Sequence, residues 1–87
     1  MSSTVDQTID KMLSDFIEMD KLRKQSVFGN RNGEQALFKL CEFMKTNDKG
    51  ISDATRAQTL DKLRTMNLLP YRSYCREHLL DIGITNV

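Results

Sequence analysis

This chain predicts an all-α fold: a single small domain, residues 1–87, built as a four-helix bundle with short loops. Three observations carry that expectation. Apolar residues recur at helical spacing in four stretches, about 5–24, 34–46, 53–66 and 70–82. No run alternates apolar and polar residues for long enough to make a strand. Each stretch is bounded by residues that start or stop helices. At 87 residues one domain is the default, and a chain of this size buries roughly 60–65% of its unfolded surface, enough for one modest core.

The first helix is expected over about 5–24. Thr4 is the candidate N-cap, with Gln7 completing a capping box. Val5, Ile9, Met12, Phe16 and Met19 form an apolar line at about 100° per residue, and Leu13 and Ile17 widen it. Asp6 and Asp10 suit the positive end of the helix dipole. The stretch "QSVFGNRNG" that follows is rich in turn residues, with Val27 and Phe28 expected to tuck it against the core.

The second helix is expected over about 34–46, capped by Asn32 with Gln35 as the reaching partner. Ala36, Leu37, Phe38, Leu40, Cys41, Phe43 and Met44 cover well over half its circumference. A helix this apolar is either the most buried one or presents an extra face to a partner. The third is expected over about 53–66, capped by Ser52. Its apolar content is thin: Ala54, Ala57, Leu60, Leu63 and Met66. Arg56 and Arg64 fall about 40° to either side of Leu60. Arg56 therefore borders an apolar face with no evident structural partner. The fourth helix opens near Pro70, which suits a first helical position. Tyr71, Tyr74, Cys75, His78 and Ile82 share one of its faces, with Leu79 beside them, and Leu80 points away. Gly83 ends the helix, Ile84 makes the apolar contact that follows such a cap, and the last three residues fray.

Several chemistries fail on the residues themselves. Setting Gly50 at position 6 of a calcium loop puts Lys45, Lys49 and Arg56 where oxygen ligands belong, so three cations would repel the ion. "GISDATRAQTL" resembles the turn and recognition helix of a helix-turn-helix. That motif buries apolar residues at positions that fall here on Lys45, Lys49, Ile51, Arg56 and Thr59, and of these only Ile51 is apolar. Zinc wants about four close Cys or His ligands. This chain has Cys41, Cys75 and His78, of which only the last two are near each other. A Cys-His pair at i,i+3 on an apolar face points into the core, whereas reactive thiols need exposure and positive surroundings. No glycine-rich phosphate loop is present. The chain is therefore read as non-enzymatic, with no cofactor.

Net charge is +1 over 13 basic and 12 acidic residues, which argues against a strong general pull toward nucleic acid. The charges are blocked, however. Residues 1–20 carry Asp6, Asp10, Asp15, Glu18 and Asp20 against Lys11. Residues 21–33 carry Lys21, Arg23, Lys24 and Arg31 with no acid. Residues 56–76 carry Arg56, Lys62, Arg64, Arg72 and Arg76 against Asp61. No apolar run reaches the ~20 residues of a membrane helix. The opening residues lack the pattern of a signal peptide, so the expected compartment is the cytoplasm.

The functional expectation is a small non-catalytic regulator, adaptor or inhibitor that acts by protein–protein interaction, a second copy of the chain being one candidate partner. Phe38, Arg56, Arg64, Arg72, Arg76 and Leu80 are the candidate contact residues, with Arg23, Lys24 and Arg31 as a basic loop contact. The alternative is a nucleic-acid-binding regulator using the basic residues of 21–31 and 56–76.

Overall fold

The computed structural model describes residues 3–25, 29 and 31–87. The described residues form four helices and no strand: α1 (Thr4–Gln25), α2 (Arg31–Thr46), α3 (Asp53–Thr65) and α4 (Arg72–Asp81). Single 3-10 turns precede α3 (Asp48–Gly50) and α4 (Leu69–Tyr71). The expected position of Val27 and Phe28 lies outside the described residues. Helix α1 packs along α2 and touches α3, while α4 packs on α2. The extents are 39 × 22 × 20 Å, the long axis reflecting the 22-residue α1.

Helix ends follow from individual side chains. Ser3, not Thr4, caps α1, because its Oγ accepts the Asp6 N–H at 3.1 Å. Asn47 closes α2, its backbone and side-chain N–H groups both donating to the Phe43 carbonyl. Ile51 is buried at the joint, and Ser52 Oγ accepts the Thr55 N–H at 3.2 Å, capping α3 as expected. Gly83 has φ 97°, and its N–H and that of Ile84 reach back to the carbonyls of Leu80 and Leu79. That is a Schellman ending, which a left-handed glycine allows and the buried Ile84 anchors.

Two boundaries shift. Helix α2 starts three residues before the expected position because Gly33 belongs inside its first turn. A Cβ at Gly33 would stand 2.7 Å from Tyr71 Cε1, so the missing side chain lets α2 lie against that ring. Helix α4 starts after Pro70, which sits in the preceding 3-10 turn. The last residues do not simply fray. Asn86 donates to the Arg64 carbonyl at 3.4 Å, and Val87 packs on the core.

The core joins Ile9 and Phe16 of α1 to Leu37, Leu40, Cys41 and Met44 of α2, Leu63 of α3, and Cys75 and Leu79 of α4. The buried stripe of α3 differs from the expected one. Thr55, Thr59 and Leu63 face inward, Ala54 and Ala57 are exposed, and Leu60 and Met66 pack at the edge. Thr55 is drawn in by polar contact, its hydroxyl reaching Asp6. Among the described residues Thr59 Oγ1 is buried without a hydrogen-bond partner. Replacing an orphaned hydroxyl by a methyl removes a desolvation cost, so Thr59→Val should raise the free energy of unfolding by about 1 kcal/mol. A thermal melt checks this, and a lowered Tm would mean that the hydroxyl is satisfied.

Two carboxylates of α1 are buried where the sequence placed only apolar residues. Asp6 Oδ1 accepts the Ser52 N–H at 3.0 Å, at the positive end of α3. That hydrogen bond outweighs burial and, helped by the Ser52 and Thr55 hydroxyls, holds the Asp6 carboxyl below its usual range. Asp20 accepts the Tyr71 hydroxyl at 2.5 Å, Arg23 Nη2 at 3.0 Å and Lys24 Nζ at 3.2 Å. Burial alone would raise its pKa, but these donors together lower it. Tyr71 is fully buried, meets Phe16 edge-on at 5.1 Å, and carries the Arg23 guanidinium 5.7 Å from its ring centroid.

Candidate functional site

The last ten-residue helix has room for one inward stripe. Tyr71, Cys75 and Leu79 take it, at i, i+4 and i+8, and are buried. The opposite side must face out. Ser73, Glu77 and Leu80 lie there, Arg72 and Arg76 lie on one flank, and all five are exposed. The turn before the helix adds to this face. Of the adjacent Leu68 and Leu69, the first is buried and the second 61% exposed, since backbone direction lets only one enter the core. Leu80 is 42% and Tyr74 50% exposed.

Phe38 extends the face onto α2. Its ring meets Tyr74 edge-on at 5.7 Å and His78 edge-on at 4.5 Å. The three rings form an aromatic ledge beside the outer stripe of α4. An open surface cavity of about 610 Å³ is lined by Leu69, Arg72, Ser73, Tyr74, Arg76, Glu77 and His78.

The six arginines of the chain divide sharply in how they are used. Arg56 places Nη1 2.8 Å from Asp48 Oδ1 and donates through Nη2 to the Asp48 carbonyl, so it grips the 3-10 turn before α3. This is the structural partner that the sequence did not reveal. Arg64 pairs with Asp61 at 3.4 Å and donates to the Gly83 carbonyl. Arg23 serves Asp20 and Tyr71, and Lys24 serves Asp20. Arg31 is exposed at the start of α2. Arg72 and Arg76 make no ion pair and no side-chain hydrogen bond among the described residues.

Of the residues expected to form a contact surface, Arg72, Arg76 and Leu80 are exposed on α4, whereas Phe38 is half-buried on α2 against the core and touches Tyr74 and His78. Arg56 and Arg64 are engaged in local structure on and around α3, and Arg23 and Lys24 are engaged at Asp20. Sequence reading missed Leu69 and Tyr74 as exposed members. Leu69 lies in the 3-10 turn before α4, so helical spacing alone does not mark it as exposed.

The thiols lie on the other side. Burial pushes Cys41 up to about 12 and Cys75 up to about 11. The Cys75 thiol donates to the Glu34 carbonyl at 3.4 Å, while His78 turns to Phe38 at the rim, so the two do not point together into the core. Among the described residues no group of three His, Cys, Asp or Glu side chains is placed to hold a metal ion, and no helix is long and apolar enough to cross a membrane. Comparison with protein-family models, curated proteins and solved structures finds no match.

Proposed function

We propose that this protein is a non-catalytic binding protein, a small cytoplasmic regulator, adaptor or inhibitor, whose contact surface is the outer face of α4 with Phe38. One observation carries this reading. Among the described residues, three of the four exposed large hydrophobic ones, Leu69, Tyr74 and Leu80, lie on a single 12-residue stretch, and the fourth is Leu22 of α1. Scattered exposed leucines are ordinary, but exposed apolar residues interleaved with arginines along one short stretch have the make-up of an interface, where aromatic residues and Arg are enriched. The buried, protonated thiols favour a binding role over nucleophilic catalysis. Two free cysteines also suit a reducing compartment.

Nucleic-acid binding through 21–31 and 56–76 is less well supported. Four of the basic residues it draws on, Arg23, Lys24, Arg56 and Arg64, already face carboxylates. The test is affinity capture from the native cell with the wild-type chain and with the Leu69→Ala/Leu80→Ala double variant, recovering proteins and nucleic acids in parallel. Both side chains are substantially exposed, so the variant should keep its helicity and fold stability within about 1 kcal/mol. It should lose the specific protein partner. Equal recovery of the same proteins by both chains sinks this reading.

A further inference from the structure

We infer that the outer face of α4 docks an acidic amphipathic helix of a partner protein. The inference rests on the reading of α4 as the contact surface and adds the chemistry of its occupant. Along one line of the chain the exposed residues run Leu69, Arg72, Arg76, Leu80. The two arginines are four residues apart, so their side chains stand about 6 Å apart on the same flank. The two leucines bracket them over about 18 Å, Leu69 from the 3-10 turn and Leu80 from α4. The complement is a helix with two apolar side chains about three turns apart and two carboxylates, at i and i+4, between them.

The charge on this face is unspent. Arg23, Arg56 and Arg64 each have a carboxylate within 3.4 Å, whereas Arg72 and Arg76 have none among the described residues. Nearby Asp81 is engaged by Lys45 at 3.1 Å, and Glu77 is the one acid in the cavity lining. Arg favours bidentate pairing with carboxylates, and beside apolar surface such a pair is less screened than in open water. A second copy of this chain is a poor occupant. A two-fold dimer through this face sets Arg72 and Arg76 of one protomer against the same residues of the other, and like charges opposed across an interface are costly. Nucleic acid is also disfavoured. Two cations give a weak phosphate contact, and Leu69 and Leu80 have no use at a phosphate backbone.

The experiment is selection of a displayed library of helical 16-residue peptides on the immobilised full-length chain. Enriched peptides should carry two or more acids flanked by apolar residues. They should bind the Arg72→Glu/Arg76→Glu variant at least about tenfold more weakly. Exchanging their acids for lysine should restore binding to that variant. Peptides that need Leu69 and Leu80 but are indifferent to the arginine reversal overturn the acidic-helix inference and leave the surface reading standing. Peptides that bind the Leu69→Ala/Leu80→Ala variant as well as the wild type overturn the surface reading itself. No enrichment, or displacement of enriched peptides by a 16-nucleotide DNA strand at the same face, overturns the inference.

Discussion

Tyr71→Ala should lower the free energy of unfolding by about 4 kcal/mol, the usual cost of emptying a buried aromatic site. Tyr71→Phe should lower it by about 2 kcal/mol, because the ring stays while a buried carboxylate loses a donor. The larger figure follows from how much meets at this side chain. Its ring packs on Phe16 and on the bare backbone of Gly33, and its hydroxyl donates to Asp20 while accepting from Arg23 Nε at 3.2 Å. Domains of this size are held by roughly 5–10 kcal/mol, so the alanine variant should be marginal. Urea titration followed by circular dichroism measures both losses. A loss under about 1 kcal/mol for Tyr71→Ala would show that the hub is not one. Pairing Tyr71→Phe with Asp20→Asn in a double-mutant cycle should give losses well short of additive, as expected for one shared hydrogen bond.

Acid should unfold this protein through Asp6 and Asp20. Both carboxyls titrate below their ordinary value of 3.8 in the folded chain. As pH falls, the unfolded chain takes up protons first, so the equilibrium moves toward it. The stabilisation from these groups is complete above about pH 5, declines through pH 4, and is gone once pH drops below the folded values. The dominant causes differ. At Asp6 the largest effect is the Ser52 N–H. At Asp20 burial raises the pKa, and the Tyr71 hydroxyl, Arg23 and Lys24 together overcome it. Asp6→Asn and Asp20→Asn should each lower stability at pH 7 and flatten its fall between pH 5 and pH 3. A wild-type stability that stays constant over that range would contradict the role given to both residues.

How legible the molecule is from its sequence depends on what kind of interaction decides each feature. The four helices, the Ser52 cap, the Gly83 ending and the exposure of Leu80 follow from local spacing and local turn chemistry. Features decided across the fold stay hidden. Asp6 and Asp20 look like surface charges because their partners, Ser52 and Tyr71, lie 46 and 51 residues away. Gly33 looks like a loop residue because nothing nearby announces that Tyr71 will press against it. Alanines and Leu60 suggest one face for α3, yet Asp6 and the core select Thr55, Thr59 and Leu63. Of the candidate surface, Leu80 is legible from its place on the helical wheel, whereas Phe38, read as surplus apolarity, is half-buried against the core. The engagement of Arg56 by Asp48 was invisible, since an ion pair across a turn leaves no periodic trace.

The two carboxylates of α1 also do something that neither does alone. They are 14 residues apart, so along the helix axis they stand about 21 Å from each other. One is pinned at Ser52 and the other at Tyr71. The apolar surface of α1, with its adaptable Met12 and Met19, would accept several axial positions, because such side chains repack easily. A slide by one helical turn carries α1 about 5.4 Å. Asp6 would leave the Ser52 N–H and Asp20 the Tyr71 hydroxyl at once, while Arg23 and Lys24 travel with Asp20 on α1. Like two dowels set far apart in one beam, they fix the lengthwise position of α1 and with it which of its side chains meet α2 and α3.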